Sequence, residues 1–232
     1  MEKELPFRLR QETVIEKWRA DTFWTKEPET IAWINTFRPG ESFLDIGANI
    51  GIYSLYAATR GVRVVSVEPH PGNFQALALN HRQLNRHLSM RPIFAGVGDR
   101  DELRDFWFDT VEAGSTGGSH SAKKKQRQHV RVYKTDSIVQ AYGPFIHIKI
   151  DVDGEEKQII RGMHSSLRFQ QFDSCLIEID LKMREEIIEQ FETHGYTRDN
   201  IFNIMTPHSR ERRAQEGIHV ENIVFTRTGR YP

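Results

Sequence analysis

Apolar positions along the chain fall into short runs separated by longer amphipathic stretches. Ser42-Phe43-Leu44-Asp45-Ile46, Val62-Arg63-Val64-Val65-Ser66-Val67 and Pro92-Ile93-Phe94-Ala95-Gly96-Val97 are short runs bounded by turn residues, which predicts strands. Ile52 to Arg60, stopped by Gly61, reads as a helix. So does Asn73 to Asn85, with Phe74, Leu77, Ala78 and Leu84 on its apolar side. Strand, helix, strand, helix, strand implies parallel crossovers and an α/β sheet.

The pattern differs on either side of this block. Residues 1–37 read as helical, with Trp18, Phe23, Trp24, Ile31, Trp33, Ile34 and Phe37 as a stripe that Pro39-Gly40 ends. Residues 99–136 break the rhythm. Phe106-Trp107-Phe108 and Val130-Arg131-Val132-Tyr133 predict a β-hairpin insertion, and the Gly114–Ser119 run between them a mobile tip. The rhythm resumes with a strand over Phe145 to Val152, a helix over Glu155 to Gly162, a strand over Ser174 to Asp180 and a helix over Met183 to His194. Two strands near 200–205 and 221–227 are expected to close the sheet. The domain reading is a helical segment over 1–38 and one domain over 39–232, with the insertion at about 99–136.

Composition narrows the classes. The 32 Lys+Arg balance 32 Asp+Glu, which argues against nucleic-acid or membrane binding by bulk charge. The single cysteine, Cys175, rules out an intrachain disulfide and a cysteine-based zinc site. It lies on an apolar strand face, where packing is expected rather than reactivity. No apolar run reaches membrane-span length, and Met1–Pro6 lacks an apolar signal core. A soluble, cytoplasmic protein is expected.

Candidate chemistry begins after the first strand. Asp45-Ile46-Gly47-Ala48-Asn49-Ile50-Gly51 places glycines at a strand-to-helix turn, where backbone amides and a helix N-terminus can meet a ligand. The spacing is G-x-x-x-G, not the dinucleotide fingerprint, and no Lys-Ser/Thr pair follows to make a P-loop. A dehydrogenase is therefore the weakest option. An acidic residue beside the loop suits a cofactor with a cationic amino-acid tail, and S-adenosylmethionine fits. Asp45, Gly47, Ala48, Asn49 and Gly51 would meet its methionine end. Glu68, followed by Pro69, would take its ribose, with Val97 and Asp99 at the adenine. Asp99 is equally well read as a turn or helix-cap aspartate.

The strand over 145–152 alternates Ile146, Ile148, Ile150 and Val152 with His147, Lys149, Asp151 and Asp153. A polar face on a central parallel strand needs a reason. A Lys149–Asp151 ion pair that only holds loops is one. A site at the carboxyl end of the strand is the other, and it is favoured for Asp151. His147, deeper in the strand, reads as a satisfied structural histidine. Glu178 and Asp180 approach the same end from the next strand. Asp151, Lys149 and Glu178 are the catalytic candidates, with a carboxylate as general base. Alternatively Asp151, Asp153 and Glu178 hold a divalent metal.

Phe43-Leu44-Asp45-Ile46-Gly47-Ala48-Asn49-Ile50-Gly51 resembles the first motif of the FkbM-type methyltransferases, and His147-Ile148-Lys149-Ile150-Asp151-Val152-Asp153-Gly154-Glu155-Glu156 is similar to that family's second. Asp153 stands where the family usually carries Glu. Arg161-Gly162 and Leu176-Ile177-Glu178-Ile179 also match in type and order. The resemblance implies a Rossmann-like class I methyltransferase fold with a seven-stranded, mostly parallel sheet and helices on both faces. It also implies O-methylation of a sugar, glycan or related metabolite. An RNA or protein methyltransferase on the same fold, or a nonenzymatic S-adenosylmethionine-binding protein, are the alternatives.

Residues 120–134 hold Lys123, Lys124, Lys125, Arg127, Arg131 and Lys134 and no acid, and Arg210, Arg212 and Arg213 form a second basic group. These read as a solvated hairpin tip or as a basic lip for an anionic acceptor. A third reading sets Trp107 and Tyr133 as RNA-stacking platforms.

Overall fold

The computed structural model describes residues 4–120, 123–199, 202, 215, 217 and 219–228. Three short helices open it: α1 (Val14–Asp21), α2 (Phe23–Lys26) and α3 (Pro28–Ile34). Thr13 and Glu16 form a reciprocal capping box that starts α1. Next come β1 (Ser42–Ile46), α4 (Ile52–Thr59), β2 (Arg63–Glu68), α5 (Pro71–Leu79), β3 (Met90–Phe94), β4 (Gly96–Gly98), β5 (Glu102–Phe108) and β6 (Gln126–Lys134). The remainder is α6 (Thr135–Tyr142), β7 (His147–Ile150), α7 (Glu156–Arg161), α8 (His164–Arg168), β8 (Ser174–Asp180), α9 (Arg184–Thr193), β9 (Tyr196–Arg198) and β10 (Val220–Arg227).

Seven strands form one sheet in the order β3-β2-β1-β7-β8-β10-β9. The first five run parallel, and β10 is antiparallel to both its neighbours. Alternation along the strands divides the core between the two faces. Leu44, Ile46, Ile148 and Ile177 pack with Ile138, Ile159, Leu167 and Phe191 of α6 to α9. Phe43, Val64 and Leu176 pack with Phe23, Trp33, Leu55 and Leu77 of α2 to α5. The expected α/β class I fold is therefore present, with helices on both faces. Among the described residues no helix is long and apolar enough to cross a membrane.

Several boundaries differ from expectation. The third predicted strand is two: β3 ends at Phe94, paired with Glu68, and β4 leaves for a second sheet of order β4-β6-β5. The hairpin of β5 and β6 carries its own cluster of Phe106, Phe108, Val130 and Val132. Helix α5 starts earlier than predicted, because the His70 ring accepts the Asn73 amide and Pro71 opens the first turn. It ends in a π-helical turn, Asn80–Leu84, where Asn80 bonds the Ile50 carbonyl. Sequence reading missed α6, which buries Thr135 and Ile138, packs Val139 on the same core and follows β6 with no side-chain cap to mark its start. The strand expected near 200–205 lies almost wholly outside the described residues, as do Arg210, Arg212 and Arg213; the strand seen in that region is β9.

Candidate active site

A cleft opens at the carboxyl ends of β1, β2, β7 and β8, where ligands bind in open α/β sheets. Gly47 turns the chain there at φ +80°, and a Cβ on it would lie 1.9 Å from the Asp151 carbonyl oxygen. Only glycine lets the loop after β1 pass this close to the end of β7. Asn49, also left-handed at φ 52°, bonds its own side chain to the Ile50 amide at 2.9 Å. The loop delivers Gly51 to the start of α4, whose first turn has no side-chain cap.

Glu68, at the end of β2, lines the cleft together with Pro69, Gly47, Asn49 and Val97. Its Oε2 accepts the Asn49 amide at 2.8 Å and its Oε1 the His70 amide at 2.9 Å. Burial pushes this carboxyl up to about 7, against the pull of those two amides. Ala48 and Gly51 belong to the loop but do not line the cleft.

Two predicted cofactor contacts sit elsewhere. Asp45 is fully buried behind the loop, where Ser54 donates to its Oδ2 at 2.6 Å. Burial raises its pKa, Lys149 opposing. Asp99 pairs with Arg104 at 3.3 Å and Arg100 at 3.9 Å, and does not reach the cleft. Both acids are taken by partners that sequence spacing does not reveal.

Asp151, Asp153 and Glu178 line the cleft wall at the ends of β7 and β8. Lys149, 1% exposed, lies beneath them, donates to Asp151 Oδ2 at 2.5 Å and stands 5.1 Å above the Tyr53 ring. Burial works against the Asp151 anion, but Lys149 outweighs it and holds the carboxyl at about 2. Glu178 goes the other way. Burial, then the charges of Asp151 and Glu27, push it well above the ordinary glutamate range. Asp153 accepts the Gly117 amide. Among the described residues no three His, Cys, Asp or Glu side chains group so as to hold a metal ion, so the proposed metal set is not assembled. Asp180 caps the turn after β8 through the Lys182 amide. His147 is buried between Glu41 and Ser174 and stacked on Phe37, a structural histidine as expected. Cys175 is buried, and burial raises its thiol pKa.

The insertion tip is fastened across the cleft instead of projecting as a mobile loop. Arg19 donates Nε and Nη2 to the Gly114 carbonyl at 2.9 and 2.7 Å. Asn49 and Asn73 both donate to the Ser115 carbonyl at 2.9 Å. Lys123, Lys124 and Lys125 do not line the cleft; the basic residues that do are Arg19 and Lys26, from α1 and α2. Sequence reading missed both, since neither stands in a motif. Arg127 and Arg131 lie over Trp107 and Tyr133, so both expected stacking platforms already carry a cation.

The donor set fits S-adenosylmethionine. The Glu68 carboxylate and an apolar slot at Ala95 and Val97 suit its ribose and purine parts, while the amides of Gly47, Ala48, Asn49, Ile50 and Gly51 are all donated within the protein. Residues 45–198 match the family described as the methyltransferase FkbM domain. The hexuronic acid methyltransferase AglP of Haloferax volcanii is 22% identical over 175 residues, 74% of this chain and 70% of that one. In fold the chain resembles a TehB-like SAM-dependent methyltransferase from Corynebacterium glutamicum, at TM-score 0.50 and 11% identity, over 92% of this chain and 95% of that one. It also resembles a mutant of MtNAS in complex with S-adenosylmethionine, at TM-score 0.50 and 10% identity, over 93% and 68%. With two thirds of its length matched, loop and strand-end acids included, the chain belongs to the FkbM methyltransferase family and is an S-adenosylmethionine-dependent methyltransferase.

Proposed function

We propose that the enzyme methylates a hydroxyl of an anionic sugar or closely related metabolite. The observation that carries this reading is the pair Arg19 and Lys26, cations that reach the cleft from helices lying before the matched family region. The relative from Haloferax volcanii, named for a hexuronic acid, points the same way. On this reading the segment 1–38 shapes the acceptor side and the domain over 39–232 the cofactor side.

Gly47, Asn49, Glu68, Pro69 and Val97 would hold the cofactor. When bound, S-adenosylmethionine supplies a sulfonium methyl that is open to in-line attack. The chain itself has to orient the acceptor and take its proton. Asp151 and Glu178 share one site but have opposite pKa shifts, the pattern that separates acid–base roles. Asp151, fixed as an anion by Lys149, orients the acceptor by accepting from a neighbouring hydroxyl. Glu178, the more basic carboxylate, takes the proton at Oε. Arg19 and Lys26 hold the acceptor's own negative charge away from these acids.

The test is an acceptor panel of uronic and neutral sugars with labelled S-adenosylmethionine. Uronic acceptors should be favoured by about tenfold or more in kcat/KM, as one charge-assisted contact allows. The product methyl should resist mild alkali. Equal use of neutral sugars would remove the anionic assignment, and an alkali-labile methyl would place transfer on a carboxylate instead.

A further inference from the structure

One wall of the cleft is a piece of the insertion. Ser115, Thr116 and Gly118 line it together with Glu68, Asn73 and Asp153. Both flanks of this piece are firmly seated. Before it, the Thr110 carbonyl lies 2.7 Å from His70 Nε2, and a Cβ on Gly72 would lie 1.8 Å from the Val111 carbonyl oxygen, so the insertion runs tight against the first turn of α5. After it, Ser119 and Trp107 exchange backbone hydrogen bonds at 2.8 and 2.9 Å.

Between the flanks the attachment changes character. Among the described residues no backbone hydrogen bond ties residues 115–118 to the elements beside them. Side chains hold them instead. Asn73, 3% exposed, accepts the Gly114 amide at 2.8 Å and donates to the Ser115 carbonyl at 2.9 Å. Asn49 donates to the same carbonyl, and Asp153 accepts the Gly117 amide. These three ties belong to the segments that follow β2, β1 and β7, which are neighbours in the sheet in that order. The piece therefore crosses the strand ends along the line from Glu68 to Asp151, the line a cofactor would take with its ribose at the first and its methyl near the second. Beneath it, Glu68 is 5% exposed, Val97 6% and Ala95 0%. The ribose and purine partners are thus closed off, and entry of a ligand of that size requires a wall to move. The strand ends are fixed by the sheet, whereas residues 115–118 are fixed by side-chain hydrogen bonds, each of modest net worth.

We propose that residues 115–118 form a strap over the cofactor, that Asn73 is the residue that positions it, and that cofactor exchange requires the side-chain ties to release. The proposal rests on the S-adenosylmethionine assignment. It gives the 99–136 insertion a task that the order of strands alone does not.

The experiment uses S-adenosylhomocysteine and needs no turnover. Hydrogen exchange on wild type should slow by about tenfold or more at the amides of 115–118 when the ligand saturates the protein, with less change at 110–113. Asn73→Ala should release bound S-adenosylhomocysteine about tenfold faster in a chase with excess ligand, the worth of one net hydrogen bond, with association no slower than wild type. A wild-type release rate in the folded variant would overturn the proposal. So would slower association with unchanged release, the signature of a residue that only keeps the site competent. Unchanged exchange at 115–118 in saturated wild type would overturn it as well, whether or not the variant folds. These outcomes leave the cofactor assignment standing, whereas failure of wild type to bind S-adenosylhomocysteine at all would overturn the assignment and the proposal together.

Discussion

Asp151 directly follows β7, and the buried Lys149 ammonium of that strand donates to Asp151 Oδ2 at 2.5 Å just where the chain opens into the cleft. The same lysine faces Asp45 and Glu27 electrostatically. Replacing it leaves a group of acids without their cation. Lys149→Met should destabilise the protein by about 3–5 kcal/mol, the usual cost of removing one partner from a buried pair. Urea denaturation measures this. The double variant Lys149→Met/Asp151→Leu should recover part of the loss, and no recovery would mean that Asp45 and Glu27 dominate the demand for charge.

Turnover should separate the two cleft carboxylates. Asp151→Asn and Glu178→Gln should each lower kcat by about 100-fold or more, within the range of general acid–base effects. Their pH profiles should differ. The Asp151 anion helps raise Glu178, so its removal should move the acid limb of kcat/KM to lower pH. An unmoved limb in Asp151→Asn would assign the proton transfer to another group.

Gly47→Ala places a Cβ 1.9 Å from the Asp151 carbonyl oxygen, in a left-handed backbone conformation. We expect a stability loss of at least about 2 kcal/mol and no measurable cofactor binding where the variant still folds. Circular dichroism and calorimetry together check this. Wild-type affinity would mean that the loop relaxes away from β7.

Stability should fall as pH rises from about 5 to 8. Glu68 and Glu156 are pushed up by burial to about 7 from an ordinary 4.5. Each favours the folded state fully below 4.5 and loses that contribution as pH climbs through 7. Asp151 works in the opposite sense, but only between 3.8 and about 2, where falling pH removes its contribution. Urea midpoints across this range should show the decline, and Glu156→Gln should flatten it. A midpoint that rises toward pH 8 would contradict the burial argument.

Lys26→Ala tests the acceptor side. Lys26 pairs with buried Glu27 at 2.5 Å and faces the cleft. Its loss should raise KM for an anionic acceptor by about tenfold, while cofactor affinity by calorimetry changes little. A matching fall in cofactor affinity would place Lys26 at the cofactor's own carboxylate.

What could be read in advance follows the range of each signal. The strand over Ser174 to Asp180 was readable to the residue because its apolar run, broken only by Glu178, is short and bounded by polar residues. Helix α6 was not, because it follows β6 directly and no side-chain cap marks its start. The glycine turn was readable from spacing, as was the polar face of β7. The fastening of the 114–119 segment was not, because its partners Arg19, Asn49, Asn73 and Asp153 come from four separate stretches of chain.

The sequence by itself determined the alternation of strands and helices, the cofactor loop and the acids at two strand ends. Those are local properties, set by periodicity, turn chemistry and residue spacing. The tertiary structure decided which charges meet the cleft. Asp45 and Asp99 have the right residue type at the expected positions, but Ser54 and Arg104 engage them first. Arg19, Lys26 and His120 stand in no motif and reach the cleft only because the N-terminal helices and the insertion fold back over it. A side chain's partner depends on packing between distant segments, and that is where local pattern stops carrying information.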